Sequence, residues 1–211
     1  MSTKSLKWAA IISFVVSLVV LVGGGLIAKK DLPPYPGKIL GPDGKLLFQS
    51  SDILAGQDVF QRYGLMDHGS VWGHGSQRGA EFSATSLHLI SEAVRDLQAK
   101  AEYGKTYEDL GDLQKGFIDL KRIKELRTNR YDPSSDTLRL TAYQTEAMEI
   151  VHRHWEKTFK EGELRYGFLP NTIPTDNERL QVSRFFFFFG FWNFHNYFIW
   201  KKCCLCIYIE K

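Results

Sequence analysis

The feature that most constrains this chain is an uncharged apolar run near its N-terminus. Residues 8–28, WAAIISFVVSLVVLVGGGLIA, contain no charged side chain over 21 positions. As an α-helix the run would be about 31 Å long, enough to cross the hydrocarbon core of a lipid bilayer. Trp8 and the Lys29-Lys30 pair are residue types that anchor a helix at the membrane interface. The sequence therefore predicts a short N-terminal tail over 1–7 and a transmembrane helix over 8–28.

A cleaved signal peptide is the alternative interpretation of the same run. Lys4 and Lys7 resemble the basic start of such a peptide, and Ala28 could precede a cut. Against this, the run is longer than the usual apolar core of about 7 to 15 residues, and Leu26 is unfavourable three positions before the cut. A retained anchor is favoured. Under either interpretation the rest of the chain is expected outside the cytoplasm.

The rest of the chain is expected to be mainly α. Residues 29–50 predict a Pro-rich spacer and a small β-hairpin, because KILGPDGKLLF places a Pro-Asp-Gly turn between two short apolar runs. Residues 51–174 form the predicted helical domain. The predicted helix starts are Ser51, Ser83, Thr141 with Gln144, and Thr175 with Glu178.

Apolar spacing of three and four residues predicts which faces of two helices are buried. In one helix the stripe is Leu87, Ile90, Val94, Leu97 and Ala101. In the next helix it is Leu110, Leu113, Phe117, Leu120 and Ile123. Both stripes are expected to face the core.

Cysteine usage and charge exclude several classes of function. All three cysteines lie in the last nine residues, so the main domain has no thiol for a disulfide, a zinc knuckle or a thioether. The net charge of +3 is not gathered into a basic stripe, so nucleic acid is not an expected partner. No Ser-His-Asp pattern and no nucleotide-binding glycine loop occur in the sequence.

The stretch QRYGLMDHGSVWGHG, residues 61–75, resembles a c-type haem attachment site that lacks its thiols. The attachment signature is Cys-x-x-Cys followed at once by His. Gly64 and Asp67 occupy the cysteine positions, and His68 occupies the position of the iron-ligating histidine. Covalent attachment of haem is therefore excluded at this loop.

Three stretches together resemble a known family. GQDVFQRYGLMDHGSVWGHGSQRGAEF, LGPDGKLLF and NTIPTDNERLQVSRFFF are similar to segments of the quinol-dependent nitric oxide reductases, over roughly residues 1–187. In those enzymes a haem-free cytochrome c-like domain is fused ahead of a catalytic membrane domain that binds haem b, haem b3 and a non-haem iron. The resemblance implies a bacterial inner-membrane protein of denitrification, with its main domain extracytoplasmic and the lipid bilayer and the catalytic membrane domain as its partners.

The resemblance also implies roles for two further residues. In FLPNTIPTDNERLQVSRF, Leu169 before Pro170 stands where the haem-carrying relatives have a methionine ligand to iron, so Gly64, Asp67, His68 and Leu169 would be vestigial haem-site positions. Leucine cannot ligate iron, and no cofactor is expected in this chain. The glycine loop of the relatives helps to hold a calcium ion, and Gly75 would supply a backbone carbonyl. Gln77 replaces a tyrosine there.

The residues of this loop allow two other interpretations. In the structural one, His68 makes hydrogen bonds within a tight loop, and Gly69, Gly73 and Gly75 supply turn conformations. In the other, Asp67, His68, His74 and His88 form a metal site, since all four are suitable ligand types. His152 and His154 are two positions apart on one predicted helix and so point to different faces, which argues against a chelating pair.

The C-terminal segment departs from the family pattern. Residues 175–211 are expected to form a helix that leads into an incomplete second membrane segment, followed by an aberrant tail rich in aromatic residues and cysteine. The apolar run is shorter than the roughly 20 residues that span a bilayer. A frameshift in the codons for Phe185 to Phe189 is one explanation, and a short aromatic anchor is the other.

These observations predict one function and one alternative. The chain would be the anchor and haem-free domain of a quinol-dependent nitric oxide reductase, whose parent enzyme joins two NO molecules to N2O and water using two electrons and two protons. It would be inactive alone, because the catalytic domain is absent from it. The alternative is a membrane-anchored module that binds a metal or small ligand at the His68 and His74 loop.

Overall fold

The N-terminal apolar run forms one long helix. The computed structural model describes residues 3–30 and 35–196, with side chains for 3–27 and 35–192. Helix α1 is Thr3–Lys30. It starts earlier than expected, so most of the predicted tail of residues 1–7 is helical; nothing in its sequence stops a helix. Among the described residues, α1 alone has the length and composition of a membrane span, with Thr3–Ile27 as the candidate.

Residues 36–196 form a second compact unit that is mainly helical, as predicted. Its helices are α2 Ser50–Arg62, α3 Leu65–His68, α4 Phe82–Tyr103, α5 Asp112–Arg127, α6 Ala142–Glu161 and α7 Asp176–Asn196, with a 3-10 turn at Leu164–Tyr166. Helix α7 packs against α2, α4 and α6. It is therefore the central helix of this unit.

Two small sheets accompany the helices. The strands are β1 Lys38–Leu40, β2 Leu46–Gln49, β3 Gly69–Val71, β4 His74–Gly75, β5 Ala80–Glu81, β6 Tyr131–Asp132 and β7 Thr137–Arg139. The predicted hairpin is confirmed as β1 and β2, which are antiparallel. It belongs to a sheet of order β2-β1-β7-β6, in which β1 and β7 are parallel. The second sheet has the order β4-β3-β5.

The phenylalanine run of α7 is part of the hydrophobic core. Phe185 to Phe189 are all buried, and so are Phe191 and Trp192. Two glycines let neighbouring helices approach α7 closely: a Cβ on Gly56 of α2 would lie 2.2 Å from the Gln181 carbonyl oxygen, and one on Gly190 would lie 2.8 Å from that of Ser83 in α4. The segment from residue 175 was expected to lead into an incomplete membrane segment, and its described part is packed inside this unit. The predicted aromatic and cysteine-rich tail falls mostly on residues 197–211, which lie outside the described residues.

The predicted helix starts agree with the structure for α6 and α7 and differ for α2 and α4. The capping box of α6 is confirmed: the Thr141 N–H donates to Gln144 Oε1 (3.0 Å), and the Gln144 N–H donates to Thr141 Oγ1 (3.3 Å). The starts of α2 and α4 lie two residues earlier than predicted, because a nearby carboxylate accepts a backbone hydrogen bond there. At α2 the Asp52 carboxylate accepts from the Gln49 N–H, and at α4 the Glu81 carboxylate accepts from the Ala84 N–H. Helix α7 begins at Asp176, directly after the predicted cap Thr175, but Glu178, the expected partner in a capping box, binds the end of α2 instead.

Polar side chains join the start of α7 to α2. Glu178 accepts hydrogen bonds from Arg62 (2.8 Å) and from the Tyr63 hydroxyl (2.9 Å), and Arg184 donates to Asp52 (3.3 Å). These contacts lie on either side of the close approach at Gly56. They hold α2, the helix that precedes the loop of interest, in register along α7.

The predicted core stripe of α5 was largely wrong. Ile118 and Leu126 are the buried residues of this helix, and Ile118 packs with Ala99 and Leu110 in a separate small cluster. Leu113, Phe117 and Leu120 are exposed. The predicted stripe of α4 is only partly buried, since Ile90 and Val94 face the core but Ala101 is exposed.

Candidate functional site

The loop of interest joins the end of α2 to the start of α4. Gly64 has φ 60°, and α3 begins directly after it. A Cβ on Gly64 would lie 3.5 Å from Asp67 Oδ2, so the two positions that carry thiols in an attachment site are neighbours here. Neither residue has a sulfur atom.

A tight hairpin follows α3. Trp72 and Gly73 both have positive φ (54° and 73°), and they connect the paired residues Val71 and His74 of β3 and β4. The Trp72 N–H donates to Ser83 Oγ (3.2 Å), and its indole Nε1 donates to the Phe189 carbonyl (3.3 Å). The Trp72 and Phe189 ring centroids are 4.6 Å apart. The hairpin is thus attached to both α4 and α7.

Close backbone approach explains the glycines of this loop better than turn conformation does. A Cβ on Gly79 would lie 1.5 Å from the His68 carbonyl oxygen, and one on Gly69 would lie 2.3 Å from that of Ala80. Gly69 has an extended φ of −177°. Gly75 combines both demands, with φ 136° and a Cβ position 2.3 Å from the Gly69 carbonyl oxygen. The turn interpretation therefore holds for Gly73 and Gly75 and was wrong for Gly69.

The structure places Phe168, and not Leu169, next to His68. The imidazole and the Phe168 ring have centroids 5.0 Å apart, and a Cβ on Gly167 would lie 3.4 Å from His68 Nδ1. Phe168 is fully buried, whereas Leu169 is exposed. The turn between Gly162 (φ 84°) and Gly167 (φ 75°), closed by the bridge between Glu163 and Phe168, sets this register. Leu169 is thus directed away from the interior here, and its correspondence with the methionine ligand of the relatives stays a prediction.

Aromatic rings fill the interior behind His68. Phe82 stacks on Phe186 with 4.6 Å between centroids, and lies 6.1 Å from Phe168 and 5.4 Å from Trp155. Phe159 lies 5.1 Å from Phe168. All five residues are completely buried. We call these five side chains, Phe82, Trp155, Phe159, Phe168 and Phe186, the aromatic cluster.

The aromatic cluster does not fit a haem. A haem beside His68 would need the space that Phe168 and its neighbours occupy. It would also need a second axial ligand, commonly methionine in electron-transfer cytochromes. Sequence reasoning missed the cluster because its members come from four segments of the chain. The signal in the sequence that could have revealed the cluster was the number of aromatic residues around the segments 64–81 and 163–174.

The residues of the predicted metal site do not assemble. His88 is exposed on α4, where its Nε2 lies 3.4 Å from Glu92. His74 is exposed in β4, and His68 faces Phe168. Within the described part of the chain, no group of three or more His, Cys, Asp or Glu side chains could hold a metal ion. The geometry thus gives the metal-binding alternative no ligand set.

The two histidines of α6 face different surroundings, as predicted. His152 Nδ1 is 2.8 Å from Ser183 Oγ in α7, at a shallow pocket that also contains Met148 and Arg184. The Ser183 hydroxyl also donates to the Leu180 carbonyl (2.9 Å). The pair is a hydrogen-bonded contact between α6 and α7.

His154 makes the stability of the domain depend on pH. Burial lowers the pKa of His154 below its usual range, and Glu163 opposes this in part. The buried Nε2 has no hydrogen-bond partner among the described residues. Since the folded-state pKa is below the unfolded value of about 6.5, the neutral form stabilises the fold. That stabilisation is complete above about pH 6.5 and is lost as the pH falls below it.

We therefore expect the free energy of unfolding to fall between pH 7 and pH 5. Chemical unfolding of the full chain in detergent micelles, followed by tryptophan fluorescence, measures this slope. His154→Gln should flatten the slope, and His88→Gln, at an exposed histidine beside Glu92, should change it less. An unchanged slope in His154→Gln would contradict the assignment.

Exposed apolar side chains surround the loop. Met66, Trp72, Leu164 and Leu169 are all exposed, and they lie on the segments 64–81 and 163–174. The contact between His68 and Phe168 brings these two segments together. We call Met66, Leu164 and Leu169, whose segments meet at this contact, the loop patch.

Comparison with known proteins gives one match. Residues 36–195 match the model of a protein family described as the cytochrome c-like domain of the nitric oxide reductase NorB. The match covers well over half of the chain, and it includes both loops and most of α7. No curated protein matches the chain.

Proposed function

The chain belongs to the family of NorB cytochrome c-like domains of nitric oxide reductase, and on that premise we propose that it is the membrane-anchored, haem-free domain of a quinol-dependent nitric oxide reductase. The parent enzyme would reduce two NO molecules with two electrons and two protons to N2O and water. The haem b, haem b3 and non-haem iron of that reaction would be bound by a catalytic membrane domain. This chain would hold none of them.

The observation that carries this proposal is the aromatic cluster. In a domain of this family, Gly64 and Asp67 offer no thiols, and Phe168 packs on His68, which directly follows Asp67. A domain that has no room for a haem cannot relay electrons through one. Its role would then be to anchor and cover the catalytic domain, while quinol supplies electrons to that domain directly.

The loop patch is the surface through which we propose that the domain contacts its catalytic partner. Its three side chains are apolar and exposed, and burial of apolar area is the main driving force of such contacts. Gly75 lies beside it in the exposed strand β4, so its carbonyl would supply one ligand of a calcium ion shared with the catalytic domain. Calcium takes six to eight oxygen ligands, and the partner would supply most of them.

The location follows from the same premise. Helix α1 would hold the chain in the bacterial inner membrane, and the domain would lie on the extracytoplasmic side. The apolar composition of Thr3–Ile27 supports the anchor.

Co-expression in a bacterial membrane tests the proposal. The full chain would be produced together with a haem-loaded catalytic membrane domain of this family that lacks its own N-terminal domain. We expect the two to co-purify, to show b-type but no c-type haem absorption, and to reduce NO with quinol only when both are present. The double variant Met66→Glu and Leu169→Glu should weaken the association about tenfold or more, a loss of about 1.4 kcal/mol.

The matched control is Leu46→Glu, at an exposed leucine of β2 outside the loop patch. It should leave association unchanged. A c-type absorption band in the purified chain, or equal association of all variants, would contradict the proposal.

A further inference from the structure

Helix α5 exposes a continuous apolar stripe. Leu113, Phe117 and Leu120 are 93%, 50% and 70% exposed. Their spacing of four and three residues places them on one face of the helix. Single exposed apolar residues are common, but three on one face form a surface that water solvates poorly. The buried face of the same helix is formed by Ile118 and Leu126, so this stripe is not needed for the fold.

Gly116 lies within the stripe and leaves room for a neighbouring backbone. No atom lies within 4 Å of the position that its Cβ would take. A glycine in a helix interior costs about 1 kcal/mol relative to alanine. Nothing in the described part of the domain requires that cost, since α5 packs through its other face. A small residue here would let a second helix approach closely.

Charges at the two ends of the stripe have opposite sign. Asp112 and Glu108 lie at its N-terminal end, and Lys124 and Arg127 at its C-terminal end. All four are exposed, and neither Asp112 nor Lys124 forms an ion pair within the described part of the chain. A surface that is acidic at one end and basic at the other is complementary to itself when turned around.

We propose that two copies of this chain associate through α5, antiparallel, about a two-fold axis between Phe117 and Leu120. In this arrangement Phe117 of each copy packs on Leu120 of the other. Asp112 of each copy lies within about one helical turn of Lys124 of the other. Such an interface is isologous, as in most dimers of identical chains.

The membrane anchor makes a small interface sufficient. A single helix pair buries less than the roughly 1,600 Å² of a standard interface, so association in free solution is weak. Chains held in one membrane are confined near each other, which raises their effective concentration. The proposal is independent of the proposed function, because it involves neither the loop patch nor the catalytic domain.

Cross-linking of the full chain in lipid vesicles tests the proposal. The native cysteines at 203, 204 and 206 are replaced by serine, and Lys121→Cys, one helical turn from Phe117, supplies the reporter thiol for a short bifunctional maleimide. The matched control is Glu146→Cys, at an exposed position of α6. We expect about tenfold more cross-linked dimer from the reporter than from the control.

Charge reversal distinguishes self-association from other occupants of the stripe. Asp112→Lys and Lys124→Glu should each reduce cross-linking several-fold, and the two together in one chain should restore it. Equal cross-linking at 121 and 146 would overturn the proposal. Opposite effects of the two single reversals would also overturn it, because they would indicate that the stripe binds a surface of one charge, such as anionic lipid. So would a failure of the double reversal to restore the dimer.

Discussion

Replacing Phe186 by alanine is expected to destabilise the domain by about 3–5 kcal/mol, the usual cost of removing a large buried aromatic side chain. The Phe186 ring stacks on Phe82 at 4.6 Å and lies 5.0 Å from Trp155 and 5.9 Å from Phe60. Its removal would leave a cavity in the middle of the aromatic cluster. Such a loss is a large fraction of the roughly 5–15 kcal/mol that stabilises a typical domain.

Chemical unfolding of the full chain in detergent micelles measures this loss. The matched control is Phe117→Ala, which removes a half-exposed ring from α5 and should cost about 1 kcal/mol or less. Dilute protein keeps any association through α5 from contributing. If Phe186→Ala were as mild as the control, the phenylalanine run would not belong to the core, and its role would have to be sought in the membrane.

Replacing Gly79 by alanine is expected to cost about 3 kcal/mol, at the upper end of what overpacking costs. The new Cβ would lie 1.5 Å from the His68 carbonyl oxygen and 2.4 Å from its carbon. Because both are backbone atoms, no side-chain rotation relieves the clash. The loop would have to move, and His68 would move away from Phe168.

Two readouts separate this effect from a general loss of stability. Unfolding measures the energy, and the association of the chain with the catalytic domain measures whether the loop patch keeps its shape. The control is Gly116→Ala, the same change at an open helix position, which should stabilise the monomer by about 1 kcal/mol. Equal stability of both variants would show that the loop does not pack as described.

Local patterns in the sequence were sufficient for several features. The apolar run of α1, the hairpin of β1 and β2 and the capping box of α6 each depend on a few adjacent residues. The missing thiols at Gly64 and Asp67 likewise follow from residue identity alone. Such features need no knowledge of what lies nearby in space.

The α5 stripe shows where periodicity is ambiguous. Leu113, Phe117 and Leu120 have helical spacing and are exposed, whereas a second set, Ile118 of α5 and Leu110 just before the helix, is buried. Ala99 of α4 lies against the second set, and Tyr103 and Tyr107 cover it. Which face is buried depends on these partners, which are distant enough in sequence that the pattern cannot include them.

In the loop opposite His68, the sequence did not predict the register to within one residue. Phe168 and Leu169 are adjacent and both apolar, so the sequence did not distinguish which of them is buried. The positive φ values of Gly162 and Gly167 turn the chain so that Phe168 points inward. The aromatic cluster then follows from the meeting of α4, α6, α7 and this loop.

The phenylalanine run shows most clearly what the sequence determines and what the tertiary structure determines. The sequence by itself determined that the helix around residues 185–192 is apolar on every side, and such a helix is either buried in a core or inserted in a membrane. Only the tertiary structure decided between these for the described residues, because α2, α4 and α6 pack around α7 and take its apolar sides out of water. The composition of a helix shows that it needs apolar surroundings. Which segments surround it depends on parts of the chain that are distant in sequence.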